Sequence, residues 1–205
     1  MIRTRIAPSP TGQDLHIGNL YTALFNWSVA KKNNGKFIIR IEDTDRERLV
    51  PTAEAKILNS LKAFGINHDE GPDVGGPFAP YKQSERLFLY SKYIRELIKK
   101  GHAYYCFCTK ERLDEMRKAQ IAKQQQPKYD RYCLNNIKNP EEKIKNGNKY
   151  VIRLKVPEKN EVIFTDLIRG EIKISTKEID DQVLIKSDGY PTYHLAVVID
   201  DHLME

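Results

Sequence analysis

Arg5-Ile6-Ala7-Pro8-Ser9-Pro10-Thr11-Gly12, with His16-Ile17-Gly18-Asn19 close behind it, decides the fold of this 205-residue chain. A basic and apolar strand over residues 3–7 enters a loop punctuated by proline and glycine, and that loop opens a helix. Leu20, Ala23, Leu24 and Trp27 share one face of the helix. Asn33-Asn34-Gly35 stops it, since glycine tolerates the left-handed cap. Phe37-Ile38-Ile39-Arg40-Ile41 then reads as a strand that ends in the acidic run Glu42-Asp43-Thr44-Asp45. Two strands joined by a helical crossover are the unit of a parallel sheet. Ligands of such sheets sit beyond the carboxyl ends of the strands. Residues 8–18 and 42–45 both lie there. A loop opening a helix N-terminus can also hold a phosphate chain against backbone N–H groups.

Outward from this unit, residues 51–64 read as a helix with proline in its first turn and Ile57, Leu58, Leu61 and Phe64 on one face, ended by Gly65. Residues 68–80, rich in glycine and proline, read as a surface loop. Ser84 is placed to cap a helix that carries Leu87, Tyr90, Ile94, Leu97 and Ile98 inward and stops at Gly101. The character then changes. A strand over 103–107 is followed by a charged helix over 109–120 capped by Thr109, and residues 123–147 are polar and loop-rich. Short β segments return at 149–156, 161–164, 171–174 and 182–186, and residues 193–199 are expected to re-enter the parent sheet. The pattern predicts an α/β domain in two halves, 1–102 and 189–205, separated by an α+β insertion over 103–188.

No apolar stretch approaches the roughly 18 residues that a membrane span needs, and Met1-Ile2-Arg3-Thr4-Arg5 lacks the apolar region of a secretory signal. Three cysteines, an odd number, make no disulfide framework and suit a reducing cytoplasm. The net charge of +6 fits a solvated surface as well as a polyanion partner held through its phosphates.

Taken in order with Ser187-Asp188-Gly189-Tyr190-Pro191-Thr192-Tyr193-His194, the two N-terminal motifs resemble the glutamyl-tRNA synthetases, class I aminoacyl-tRNA synthetases of the bacterial type. The resemblance runs almost end to end and is weakest over residues 110–149. It implies a Rossmann-like parallel-sheet catalytic domain whose insertion binds the tRNA acceptor end. It also implies activation of L-glutamate by ATP with Mg2+, then transfer of the glutamyl group to the 3′-terminal adenosine of tRNA(Glu). The substrate's own carboxylate attacks the α-phosphate, so catalysis rests on positioning and on stabilising phosphate charge. His16 and Gly18 are the implied catalytic residues, with Pro10, Thr11, Gly12, His16, Gly18 and Asn19 around ATP. Arg5, Ala7, Ser9, Glu42 and Tyr193 are implied around glutamate. The planar fork of Arg5 suits the side-chain carboxylate, and Glu42 suits the α-ammonium. Tyr190 and His194 would shape the pocket. Plainer readings exist for the same residues: His16 as a helix cap, Arg5 as a surface arginine, residues 42–45 as a solvated acidic turn. Two positions depart from the family pattern: Asn19 stands where a second histidine is usual, and Val197 stands where some relatives place asparagine.

Cys106, Cys108 and Cys133 fall where some relatives bind a structural zinc. A tetrahedral site needs four ligands. Asn135 stands where one version of the motif has histidine, and Tyr129, four residues before Cys133, is the implied fourth ligand. Three reduced thiols in a small core are the alternative. Zinc here would hold the insertion together and take no part in the chemistry. Asp200, Asp201 and His202 read equally well as a metal or ribose contact and as solvated strand-end residues, and receive no role. The basic stretch 110–155 is the expected face for tRNA phosphates and an unstacked 3′ end. A cytoplasmic monomer is expected, with no membrane partner. The family continues beyond the counterpart of residue 205 with another glutamate-contacting arginine, a second ATP loop and usually an anticodon region. The 205 residues by themselves are therefore expected to bind ligand weakly and turn over poorly. Competing readings are a glutamyl-Q-tRNA(Asp) synthetase, which the cysteine and tyrosine pattern suits, an H-x-G-H nucleotidylyltransferase, and a non-catalytic tRNA-binding fragment.

Overall fold

Around Lys36-Phe37-Ile38-Ile39-Arg40-Ile41-Glu42 the chain is apolar on both faces, and the alternation of side chains sorts its charges. A computed structural model describes residues 1–12, 15–158 and 160–205, so the loop over 8–18 is described except at positions 13 and 14. In chain order the elements begin with β1 (Arg3–Ile6), α1 (Ile17–Lys32), β2 (Lys36–Ile39), α2 (Ala53–Ala63) and α3 (Leu87–Lys99). They continue with β3 (Ala103–Cys106), α4 (Lys110–Ala122), α5 (Tyr132–Asn136), α6 (Pro140–Lys145) and β4 (Val151–Leu154). Last come β5 (Glu161–Asp166), β6 (Gly170–Ser175), β7 (Val183–Ile185) and α7 (Tyr193–Leu203). Two compact units result, one of Met1–Ser91 with Tyr190–Glu205, the other of Lys92–Gly189. Among the described residues no helix is long and apolar enough to cross a membrane.

In the first unit β1 and β2 pair in parallel, Arg3 opposite Lys36 and Ile6 opposite Ile39. Ile6, Phe37, Ile39 and Ile41 pack with Ala23 and Ala30 of α1 and with Ile57 and Leu61 of α2. The opposite face carries Ile38 with Tyr81 and Met204. Residues two apart on a strand share a face, so Arg3, Arg5, Arg40 and Glu42 all turn toward the side of α7. Both faces are covered, as parallel strands require. The segment 68–80, expected as a surface loop, instead annexes the free edge of β2: Ile39 N–H donates to the Glu70 carbonyl at 2.9 Å, and Asp69 N–H to the Phe37 carbonyl at 2.8 Å.

Several local expectations change. Residues 193–199 do not form a strand; they belong to α7, whose buried residues Leu195, Ala196, Ile199 and Asp200 follow helical spacing. A five-residue apolar run fits either period, and here the 3.6-residue spacing that includes Asp200 prevails. Leu24 is half exposed, because the stripe of α1 that meets the sheet is Leu20, Ala23, Trp27 and Ala30, with alanines where the backbones approach. Phe64 lies exposed at the end of α2. Ser84 caps no long helix; it sits in a 3-10 turn and binds Asp43 through its N–H and its hydroxyl. The left-handed residue after α1 is Asn34 (φ 50°), not Gly35. Gly35 is needed for a different reason: a Cβ there would sit 2.1 Å from the Ile2 carbonyl oxygen.

The second unit holds an antiparallel sheet in the order β3-β4-β7 and a separate β5–β6 hairpin. Thr109 caps α4 by accepting from the Arg112 N–H at 3.3 Å. The stretch 123–147 is less loop-like than its composition indicated, since it contains α5 and α6. The core of this unit gathers Tyr104, Cys106, Tyr129 and Cys133.

Candidate active site

At the carboxyl ends of β1 and β2, a cavity of about 190 Å³ is lined by Arg5, Ile6, Ala7, Pro8, Asn19, Thr22, Glu42 and Tyr193. Four elements of the sequence pattern thus converge: the strand end, the start of α1, the acid after β2 and the first residue of α7. The flanking loop is stapled by backbone bonds, Glu42 N–H to the Pro8 carbonyl at 3.1 Å and Val50 N–H to the Pro10 carbonyl at 2.9 Å. Ser9 does not line the cavity; its hydroxyl donates to the Glu42 carbonyl at 2.9 Å and holds that acid in register.

Opposite charges face each other across the walls. Burial pushes the Glu42 carboxyl above its ordinary value, and Arg40 and Arg5 only partly oppose this. The acid is therefore under-compensated, and an added cation within hydrogen-bond reach would favour its ionised form. Arg5 is held by Asp201, Nε to Oδ1 at 2.8 Å and Nη2 to Oδ2 at 2.7 Å, which raises its pKa. Arg40, almost wholly buried, reaches Asp201 Oδ1 at 2.7 Å through Nη1 and Glu42 Oε1 at 3.2 Å through Nη2. Beneath it Asp200 is fully buried and accepts from Arg86 Nε at 2.7 Å, the Tyr90 hydroxyl at 2.8 Å and Gln83 Nε2 at 2.9 Å.

His16 caps α1: its Nδ1 accepts from the Gly18 N–H at 3.1 Å. A neutral imidazole accepting at Nδ1 carries its proton on Nε2, so the exposed ring keeps one donor for a ligand. A Cβ at Gly18 would approach that ring to 3.2 Å. Thr11 and Gly12 lie on the loop ahead of this helix, outside the lining of the cavity, and Pro10 is buried in the same loop. Tyr193 is exposed at the cavity and meets His194 edge to face, 5.6 Å between ring centres. Tyr190 lies under the Arg46 guanidinium at 5.8 Å.

Sequence reasoning gave no role to Arg40, Asp200 or Asp201. The signal for Arg40 was its parity with Ile38 and Glu42 in a strand apolar on both faces. Asp200 and Asp201 became visible only once α7 was a helix rather than a strand.

In the second unit the Sγ atoms of Cys106, Cys108 and Cys133 lie within 4.8 Å of one another. The Tyr129 hydroxyl stands 3.3 Å from Cys106 Sγ and 3.2 Å from Cys108 Sγ. A hydrogen bond from the Cys133 thiol, outweighing burial and helped by Tyr129 and Arg153, lowers the Cys106 thiol well below its ordinary value. The same bond and burial raise Cys133. Phe107 N–H donates to Cys133 Sγ at 3.2 Å, and Arg112 Nη1 lies 3.5 Å from Cys108 Sγ. Three sulfurs and a phenol oxygen converge among N–H and guanidinium donors, a set that fits a four-coordinate thiophilic metal. Asn135 lines a neighbouring cavity instead.

Residues 1–205 match the family described as tRNA synthetases class I (E and Q), catalytic domain. A glutamate–tRNA ligase of Cellvibrio japonicus (strain Ueda107) is 53% identical over 205 residues, covering 100% of this chain and 40% of that protein. One from Finegoldia magna (strain ATCC 29328) is 55% identical over 214 residues, covering 99% of this chain and 44% of that protein. The crystal structure of a glutamate tRNA ligase from Elizabethkingia meningosepticum, in complex with its amino acid, superposes with a TM-score of 0.90 at 42% identity, covering 99% of this chain and 42% of that one. The chain spans about two fifths of the length of these relatives.

Proposed function

Since the chain belongs to the class I tRNA synthetase family of the E and Q type, within its catalytic domain, we propose that the protein activates L-glutamate with ATP and transfers it to the 3′-terminal adenosine of tRNA(Glu). One observation carries this reading: Arg5 and Glu42 place opposite charges on the walls of a single cavity of about 190 Å³, a size suited to a small zwitterion with a second carboxylate.

Arg5 takes the side-chain carboxylate through a fork that discriminates planar anions. Glu42 takes the α-ammonium, and Ser9 and Ala7 fix the backbone around it. Tyr193 adds a hydrogen bond. The α-carboxylate, left unpaired by these anchors, is the nucleophile toward the α-phosphate, so the protein positions rather than attacks. ATP, with magnesium on its phosphates, lies along Pro10, Thr11, Gly12, His16, Gly18 and Asn19. His16 Nε2–H donates to the phosphate chain as negative charge develops. The N-terminus of α1 adds its dipole. Residues 1–102 and 189–205 form the catalytic part, and 103–188 hold the acceptor end through basic side chains. A structural zinc on Cys106, Cys108, Cys133 and Tyr129 ties this insertion together. The enzyme works as a cytoplasmic monomer.

The test is ATP–pyrophosphate exchange by the full-length gene product with glutamate, run with and without tRNA(Glu). Exchange that requires tRNA is expected. Exchange without tRNA would favour the glutamyl-Q reading, and no exchange in either case would leave a tRNA-binding module.

A further inference from the structure

Arg5, Asp201, Arg40 and Glu42 form a chain of alternating charge whose two ends are the walls of the cavity. Each link is a direct hydrogen bond: Arg5 Nε and Nη2 to the two Asp201 oxygens, Arg40 Nη1 to Asp201 Oδ1, Arg40 Nη2 to Glu42 Oε1. The interior links are unequal. Arg40 is 1% exposed, whereas the Asp201 side chain is 45% exposed. Asp201 is therefore not required to neutralise a buried core; Asp200, fully buried one residue earlier, meets Arg86, Tyr90 and Gln83.

A guanidinium offers five N–H groups along two usable edges. Asp201 occupies the Nε–Nη2 edge of Arg5 in the two-bond geometry that fixes a planar group. The Nη1 side is then the edge left for a ligand carboxylate. Arg40 clamps Asp201 from behind, so the plane of Arg5 is set relative to Glu42 through one rigid buried side chain.

We infer that Asp201 is a positioning residue for the amino-acid site, holding the Arg5 guanidinium in the one plane that lets its free edge receive the substrate's side-chain carboxylate. The inference rests on the proposed glutamate chemistry. It also makes a choice between two physical effects. Asp201 is an anion beside an anion site, and by charge alone its removal would tighten carboxylate binding. By orientation its removal loosens binding, since Arg5 must then be ordered by the substrate itself.

The experiment is steady-state aminoacylation of tRNA(Glu) by the full-length gene product carrying Asp201→Ala, Asp201→Asn or Asp201→Glu. Asp201→Ala is expected to raise the KM for glutamate about tenfold, with kcat and the KM for ATP within about threefold of wild type, because uniform binding is lost. Asp201→Glu is expected to recover part of that loss, and Asp201→Asn to fall between. An unchanged glutamate KM in both Ala and Asn variants overturns the inference. A lowered KM overturns it as well and makes Asp201 a competitor of the substrate. Should Asp201→Ala fail to fold, the Asn variant, which keeps size and one acceptor, decides alone. Wild-type protein that charges no tRNA with glutamate would instead overturn the functional reading, a distinct result.

Discussion

Arg40 and Arg153 are both buried guanidiniums, one in each unit, and in both the Nε finds no hydrogen-bond partner among the described residues. Their surroundings differ in kind. Arg40 meets carboxylates: Asp201 and Glu42 by hydrogen bonds, Asp200 at 3.7 Å. Arg153 meets the Asp181 carbonyl at 2.9 Å, the face of Tyr129 at 4.1 Å and the sulfur of Cys106. The first cation is balanced by carboxylates of its own unit. The second faces a thiol cluster whose charge depends on the protons or metal it holds. The first unit thus carries its own charge balance, while the second shares its balance with the proposed metal.

The largest expected effect breaks this comparison at the metal. Metal analysis of purified protein is expected to give one zinc per chain. Zinc in small domains supplies apparent binding energy on the order of 10 kcal/mol. Chelation is therefore expected to raise hydrogen exchange over residues 103–137 and leave residues 36–42 unchanged. Protein that holds no zinc and exchanges equally slowly would show that the thiols alone suffice.

Next in size is the loss of each arginine. Arg40→Met strands buried carboxylates and is expected to cost about 3–5 kcal/mol. Trp27 is the only tryptophan among the 205 residues and packs against the core of the first unit, so its fluorescence in urea follows that unit. Arg153→Met is expected to cost about 1–3 kcal/mol, since it loses a carbonyl, a ring face and a sulfur. That variant is read by hydrogen exchange in β4. Equal costs would erase the distinction between the two burial schemes.

Much of this was legible because the apolar, β-branched run around β2 ends abruptly in acids. Residues 37–41 could be read as a strand from sequence, and Glu42 placed at its ligand end. The Arg5–Glu42 pairing followed from the parallel crossover together with the family resemblance. The charge chain between them was hidden, because Asp201 belongs to a segment whose short apolar run suits a strand or a helix equally. Only the tertiary position of Asp200, buried against Arg86 and Tyr90, selects the helix. Gly35 was read as a left-handed cap, yet its constraint is the Ile2 carbonyl, a contact between residues far apart in sequence. Spacing can show where a chain must turn; what lies across the turn requires the fold.

The pH dependence sharpens the contrast within the charge chain itself. Burial raises Glu42 despite Arg40 and Arg5. Burial would also raise Asp201, but hydrogen bonds from Arg5 and Arg40 outweigh it and lower its pKa. As pH falls, Glu42 therefore protonates first, at a value above the usual 4.5. The attraction for an α-ammonium is lost there, and the glutamate KM is expected to rise by about tenfold per pH unit below that value. Protonation of Glu42 in this window favours the folded state, whose carboxyl binds the proton more readily than the unfolded chain. The stabilisation from Asp201 is present above its unfolded value and fades only as pH falls further, through its depressed folded value. Glutamate KM and urea midpoint measured over the same pH series should separate accordingly. A common midpoint would mean that the two acids titrate as one unit.

The smallest expected effect on stability asks most about chemistry. His16 and Thr109 cap one helix in each unit, α1 and α4, by accepting from a backbone N–H, that of Gly18 and that of Arg112. Thr109→Ala is expected to cost about 1 kcal/mol, and Thr109→Asn almost nothing. His16→Asn likewise keeps a good cap and is expected to change stability by less than about 0.5 kcal/mol. The two positions should then part company in catalysis. Asparagine at 16 lacks the Nε2–H that faces outward from the capping ring, so kcat in aminoacylation is expected to fall about a hundredfold, while Thr109→Asn leaves it near wild type. A His16→Asn enzyme that is as active as wild type would reduce His16 to what Thr109 is, a cap, and move the phosphate contacts to the backbone of the loop and the helix N-terminus.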